Sequence, residues 1–406
     1  MLTLPMNRIL LRTSFFLIGL LLFISCDIAE KTSEPELQYL IDYSPAGELS
    51  PEQIISYYDN PLIELIASYD VKAYRITYRT QTIDGTHVTA SGMILVPSIT
   101  RPSVLVLQRG TLFQKSEAPS LFDPDLADNN SVWTYFGPVV SSSGYMIIMP
   151  DLLGFGESES LFHPYFVTRS HGRVSLDMMK AAEEFFDMEG IGKGNRLFIT
   201  GYSQGGTSAM ALLKAIGEDA SADFRVTAAS VGGGAYNLVD VSKSILGADT
   251  LGFAPNYAYI VAAYDRTYNL NRDIETIFKP PYSSRIFGEN LFGGQFSGSQ
   301  IDERLTNVTA DLFQESFLAG FLGGGEQQLK ELLNSNDVSG FRVQVPLRIY
   351  HGEFDEVVPV DEARNAFEKL KDAGAANIQF VLIPDGTHES SALDFASQTL
   401  NWFFVQ

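Results

Sequence analysis

Six short apolar runs punctuate the chain, each bounded by turn-forming residues: "SVLVLQ" (103–108), "YMIIMP" (145–150), "RLFITG" (196–201), "RVTAASVG" (225–232), "PLRIYHG" (346–352) and "IQFVLIP" (378–384). Runs this short, apolar at nearly every position, suit strands covered on both faces in a parallel sheet. Two earlier segments behave differently. "VKAYRITYRT" (71–80) and "HVTASGMILVP" (87–97) alternate, and the "TIDGT" between them carries Asp-Gly, which predicts an antiparallel hairpin. The stretch ahead of the hairpin, "YSPAGELSPEQIISYY", reads as loop. Helical patterns fall between the apolar runs. "GRVSLDMMKAAEEFFDM" places Val174, Met178, Ala181 and Phe185 at helical spacing, and "SQGGTSAMALLKAIGE" is rich in helix formers. "DEARNAFEKLKDAG" runs to Gly374, a helix-ending residue, and "SALDFASQTLNWFF" closes the chain.

Strands alternating with helices imply an α/β fold: a doubly wound, mostly parallel sheet with the opening hairpin as an antiparallel edge. The rhythm breaks once. Residues 235–340 are longer than any strand–helix–strand crossover requires and are rich in Gly, Tyr and Phe, so they read as an inserted, mainly helical cap over the C-terminal edge of the sheet. The core is then split into 46–234 and 341–406. No internal repeat is visible.

The first 25 residues stand outside this scheme. Arg8 and Arg12 precede the apolar "SFFLIGLLLFI", which is too short for a comfortable membrane span and has the layout of a secretory signal. "FISC" resembles the lipobox of bacterial lipoproteins and marks Cys26, the single cysteine, for lipidation. Residues 26–45 then serve as a tether, and the expectation is an exported bacterial lipoprotein held on a periplasmic or cell-surface face of a membrane. Across 406 residues, 45% are hydrophobic and 19% charged, with a formal net charge of -21. That acidity argues against a nucleic-acid partner, which needs clustered Lys and Arg.

Candidate chemistry begins at Gly-Tyr-Ser-Gln-Gly, 201–205, between "LFIT" and a helical pattern. A serine on a sharp strand-to-helix turn holds its hydroxyl clear of the sheet, beside backbone N–H groups and a helix N-terminus. Ser203 needs a base to become a nucleophile. Of five histidines, His87 lies in the hairpin, His163 and His171 flank a Pro-containing loop and a helix start where either could line a pocket, and His351 follows a strand where a turn-supporting role is ordinary. His388, on the loop between the last strand and the last helix, opens on the same sheet edge as Ser203 and is the strongest base candidate. The imidazole needs a carboxylate to fix its tautomer. Asp355, in the loop after the preceding strand, is placed for this; Glu353 and Glu356 are close rivals, Asp361 and Asp385 weaker ones. "PDLLGFGES" reads as a turn shaping the pocket wall, with Asp151 structural; a metal reading of Asp151, Glu157 and Glu159 lacks a histidine cluster, and neither metal nor cofactor is expected.

These stretches together resemble the α/β-hydrolase superfamily, and more narrowly the secreted lipase-like esterases of bacteria and fungi. The resemblance is carried by "QRGT", "EAPS", "PDLLGFGESE" with "HPY", "GYSQGG", "HGEFDEVVP" and "DGTHESSA", from about Val71 onward. It implies Ser203 as nucleophile, His388 as base and Asp355 as its orienter. It also implies oxyanion donors at the backbone N–H groups of Gln204 and Thr111. Such relatives usually carry His-Gly-Thr where this chain has Arg109-Gly110-Thr111, which would place a cation near the pocket mouth.

The expected activity is hydrolysis of a small-molecule carboxylic ester, acyl or aryl, through an acyl-enzyme, because the inserted segment ("LGFAPNYAYIVAAY", "ESFLAGFLGGG") is aromatic and apolar. "GFLGGGE" hints at a mobile lid. Two other readings share the pattern: a serine peptidase of prolyl or dipeptidyl type on the same fold, and a surface binding protein that kept the shell without the chemistry.

Overall fold

The computed structural model describes residues 37–58, 60–124 and 130–406. The expected signal segment 1–25, Cys26 and the first part of the expected tether lie outside the described residues. Nine strands form one sheet in the order β1-β2-β3-β5-β4-β6-β7-β8-β9. They are β1 (Leu40–Leu49), β2 (Val71–Gln81), β3 (His87–Pro97), β4 (Ser103–Gln108), β5 (Tyr145–Pro150), β6 (Leu197–Tyr202), β7 (Ala228–Gly232), β8 (Leu347–Gly352) and β9 (Ile378–Ile383). The first three pair antiparallel, β3 meets β5 antiparallel, and every pair from β5 to β9 is parallel.

One expectation is corrected here. Within the residues read as tether and loop, Leu40–Leu49 are strand and Pro51–Tyr58 are helix, so β1 and not the β2–β3 hairpin is the antiparallel edge. Its sequence hid it: Pro45 and Gly47 interrupt the alternation, and the register shifts at both Leu40/Asp42 and Pro45/Gly47. An edge strand tolerates this, because Pro has no N–H to give and an edge strand has a neighbour on one side only.

Helices cover both faces. Before β5 lie α1 (Pro51–Tyr58), α2 (Pro61–Glu64), α3 (Ser131–Thr134) and α4 (Gly137–Ser142). Leu105, Leu107, Ile147 and Phe198 of the sheet share one core with Ile54, Val139 and the C-terminal Phe403. Their alternates point the other way, toward α5 (Thr168–Glu189) and α6 (Gln204–Glu218), which pack on each other and on the central strands. Val174, Met178, Ala181 and Phe185 are all buried, so the apolar stripe of α5 faces the sheet as its spacing requires.

The connection from β7 to β8 carries seven helices: α7 (Leu238–Leu246), α8 (Ala254–Thr267), α9 (Tyr282–Gly288), α10 (Gly298–Asp302), α11 (Thr309–Leu312), α12 (Glu315–Leu322) and α13 (Gln327–Ser335). Their apolar side chains build a core of their own, joined by Tyr165, Phe166 and Val167 from the loop before α5. The insertion is therefore mainly helical and closes on an aromatic interior, as the composition of the segment predicts. The chain ends with α14 (Val360–Asp372) between β8 and β9, and α15 (Ser391–Phe404). Among the described residues no helix is long and apolar enough to cross a membrane.

Candidate active site

The strand β6 delivers Ser203 to the N-terminus of α6 with φ 58 and ψ -126, a left-handed conformation that a non-glycine residue seldom adopts. Close packing imposes it. A Cβ at Gly201 would land on the carbonyl of Gly205, and one at Gly205 would land on that of Gln108 and lie 2.9 Å from the Arg109 oxygen. Only glycine lets the strand, the turn and the loop after β4 meet this closely. The Ser203 N–H donates to the Gly232 carbonyl at 2.9 Å, which ties the turn to β7.

His388 enters from the loop between β9 and α15. Its backbone is held at both ends: its N–H donates to Glu356 Oε2 at 3.1 Å, and its carbonyl accepts from the Tyr202 hydroxyl at 2.7 Å. The ring is held at both nitrogens, with Nδ1 2.8 Å from Asp355 Oδ2 and Nε2 2.9 Å from Ser203 Oγ. An ionised carboxylate only accepts, so Nδ1 carries the proton and Nε2 is left to accept from the serine hydroxyl.

Asp355 sits in the loop after β8. Oδ1 accepts the backbone N–H groups of Val357 (3.0 Å) and Val358 (2.8 Å), while Oδ2 also lies 3.2 Å from His351 Nε2. Burial by itself would raise this carboxyl, but hydrogen bonds from His351 and His388 outweigh it and hold the group well below the usual carboxylate range.

The structure thus brings Ser203, His388 and Asp355 into one hydrogen-bonded chain and gives the rival acids other tasks. Glu356 holds the His388 backbone, and Glu353 accepts the Asp385 N–H at 3.2 Å. Asp361 pairs with Arg364 on α14, and Asp385 occupies a left-handed turn at φ 56. His87 is exposed beside Gln81.

Three expectations change. His163 and His171 do not line the cleft at Ser203; both are buried, stacked with centroids 5.6 Å apart. His163 donates from Nδ1 to the Leu153 carbonyl (2.6 Å) and accepts from Gln204 Nε2 (2.9 Å), and His171 donates from Nε2 to the Pro164 carbonyl (3.0 Å). Burial, reinforced by Arg109, pushes the pKa of His163 well down and that of His171 to about 3, so both rings are neutral. Arg109 is not at the pocket mouth. It has no exposed surface, because the loop folds its guanidinium under itself against backbone carbonyls. His351 does more than support a turn: its Nε2 serves both the Val358 carbonyl, at 2.8 Å, and Asp355. Its position four residues before Asp355 was the available signal.

Thr111 and Gln204 lie on segments that touch at Gly205. Thr111 Oγ1 is 2.8 Å from the Tyr165 hydroxyl, which donates to Asn256 Oδ1 at 3.2 Å, so the loop after β4 is tied to the insertion. Among the described residues the backbone N–H groups of Gln204 and Thr111 donate to no other group. Asp151 is buried and accepts from the Ser120 N–H (2.8 Å) and the Ser91 hydroxyl (2.5 Å), an arrangement that braces the turn after β5.

A narrow cleft opens from Ser203 into the insertion. Val241, Leu246, Phe317, Phe321 and Leu329 form its walls, with Asn256 among its few polar residues. No acidic or basic side chain is among its lining residues.

Residues 136–405 match the family described as secretory lipase. Lipase 10 of Candida albicans is 24% identical over 275 residues, covering 64% of this chain and 55% of that protein, so the chain spans about half the length of the curated relatives it matches. A Legionella pneumophila protein of known structure superposes with a TM-score of 0.81 at 25% identity, covering 90% of this chain and 97% of its own. The rice cell wall degrading esterase LipA from Xanthomonas oryzae does so with a TM-score of 0.77 at 23% identity, covering 91% and 97%.

Proposed function

We propose that this chain, which belongs to the secretory lipase family, hydrolyses carboxylic esters through an acyl-enzyme on Ser203. The carrying observation is the unbroken hydrogen-bond chain from Ser203 Oγ through His388 to Asp355 at the mouth of an apolar cleft. Ser203 Oγ attacks the ester carbonyl carbon as its proton passes to His388 Nε2, and the carbonyl oxygen becomes an oxyanion. The N–H groups of Gln204 and Thr111 receive that charge, each contributing on the order of 10²–10³ in rate. Asp355 stabilises the imidazolium and keeps its Nδ1 proton in place. As the tetrahedral species collapses, the C–O bond to the leaving alcohol breaks and His388 returns the proton to that oxygen. Water, deprotonated by His388, then attacks the acyl-enzyme, and collapse of the second tetrahedral species releases the acid and restores the Ser203 hydroxyl.

The cleft favours an apolar acyl group, which it would desolvate at roughly 25 cal/mol per Å² buried. A peptidase that holds a charged substrate terminus would need a counter-charge there, and the lining supplies none. We take 235–340 as the cap that builds this cleft, and 46–234 with 341–406 as the core, extended by β1. The family also supports export; attachment through a lipid on Cys26 is our reading of the amino-terminal sequence.

Labelling with a fluorophosphonate, followed by a panel of p-nitrophenyl esters against Xaa-Pro and aminoacyl arylamides, tests the proposal. Modification of Ser203, loss of label and turnover in S203A, and faster ester turnover are expected. Faster arylamide turnover would move the reaction to peptides, and an unlabelled Ser203 would leave only a binding protein.

A further inference from the structure

Arg109 heads the largest fully buried side chains among the described residues, and the reaction above makes no use of it. Its Nε and Nη2 both donate to the Asp151 carbonyl, at 3.0 and 2.7 Å, and its Nη1 donates to the Gly110 carbonyl at 3.0 Å. The guanidinium carbon lies 4.3 Å from the centre of the Phe155 ring. Among the described residues no carboxylate hydrogen-bonds to it: Asp151 and Glu117 act on it through space, and the Asp151 carboxylate is turned to Ser91 and Ser120. Burying a cation with no carboxylate in hydrogen-bonding contact is expensive, and a neutral side chain of similar volume would pack the site at lower cost. Burial lowers the Arg109 pKa only to about 10, so the charge persists at neutral pH.

The bond to Gly110 gives that charge a use. The Gly110 carbonyl and the Thr111 N–H are the two ends of one peptide unit, and a planar trans unit points them in opposite directions. The Thr111 side chain is already fixed through Tyr165, so the plane of this peptide is what sets the direction of its N–H. A charge-assisted hydrogen bond at the oxygen holds the plane and draws electron density from the nitrogen, which makes the N–H a stronger donor. His163 and His171, held neutral by burial and by Arg109, add no positive charge of their own to that field.

We propose that Arg109 is a positioning residue for oxyanion stabilisation, which orients and polarises the Gly110–Thr111 peptide from below without touching substrate. The inference rests on the reading of Ser203 as nucleophile. Its role is specific to the tetrahedral state, so it separates from a packing role by which constants move. In R109M, kcat for p-nitrophenyl butyrate should fall about 30- to 100-fold with KM within about threefold, as loss of most of one oxyanion donor requires. Affinity for an alkyl trifluoromethyl ketone, whose hemiketal carries the oxyanion, should fall by a similar factor, while affinity for the product carboxylic acid stays within about threefold. R109K keeps the charge without the fork and should lose about tenfold in kcat; it decides the matter if R109M does not fold. A change of twofold or less in kcat and ketone affinity, or equal losses for ketone and acid, would overturn the assignment. Wild-type protein that fails to take the fluorophosphonate would instead overturn the reading of Ser203, so the two failures are distinct.

Discussion

Asp355 Oδ2 sits between two imidazoles, 2.8 Å from His388 Nδ1 and 3.2 Å from His351 Nε2. The second ring is fully buried, its Nδ1 has no partner among the described residues, and its one N–H is shared with the Val358 carbonyl. One strand, β8, therefore supplies a donor that steadies the carboxylate on which His388 depends.

Replacing His351 by Leu removes that donor and leaves the carboxylate to backbone N–H groups and His388. A hydrogen bond to a charged group contributes about 1.5–3 kcal/mol, so kcat/KM on p-nitrophenyl butyrate should fall roughly tenfold or more. Unchanged kcat/KM would show that Val357, Val358 and His388 suffice.

Gly205→Ala sets a methyl against the backbone of Gln108 and Arg109, neither of which is a flexible side-chain end. The turn at Ser203 and the loop after β4 must separate, at a cost of about 3 kcal/mol for overpacking rigid backbone. Urea unfolding should show that loss, and fluorophosphonate labelling of Ser203 should slow in the folded fraction. A stable, fully reactive variant would contradict the tight apposition of the two segments.

The wall of the cleft should set chain-length preference. Leu246→Trp narrows it, and a hydrophobic pocket discriminates by about 10- to 200-fold per group excluded. The butyrate-to-decanoate ratio of kcat/KM should rise at least about tenfold, with butyrate turnover itself little changed. An unaltered ratio would place the acyl chain outside this cleft.

Acid should destabilise the fold from near neutrality downward. The pKa of His171 is depressed to about 3 and that of His163 is also well below normal, so the folded state refuses protons that the unfolded chain takes up. The stability present above the ordinary histidine value of about 6.5 is lost as pH falls toward the folded values, at a slope approaching ~1.4 kcal/mol per pH unit for each ring. Asp355, also depressed, adds to the loss only at lower pH, below the ordinary carboxylate range. His171→Gln should flatten the pH dependence of the urea midpoint between about pH 6 and 4 by one proton's worth. A slope identical to wild type would mean that His171 is not the group refusing the proton.

Legibility followed the range of the interactions involved. The strands from β2 to β9 and the helices α5, α6, α14 and α15 could be read from the chain within a few residues, because each is encoded by its own apolar period. Ser203, Asp355 and His388 could be picked out because their loops leave the same edge of a parallel sheet, a consequence of topology that element order already implies. β1 could not be read, since its ladder with β2 overrides an unfavourable Pro and Gly. The contacts of Arg109 and of the His163–His171 stack were equally hidden. Each side chain's burial and partner depend on residues up to tens of positions away, and no local pattern states whether a charged or titratable group faces water or is folded beneath a loop.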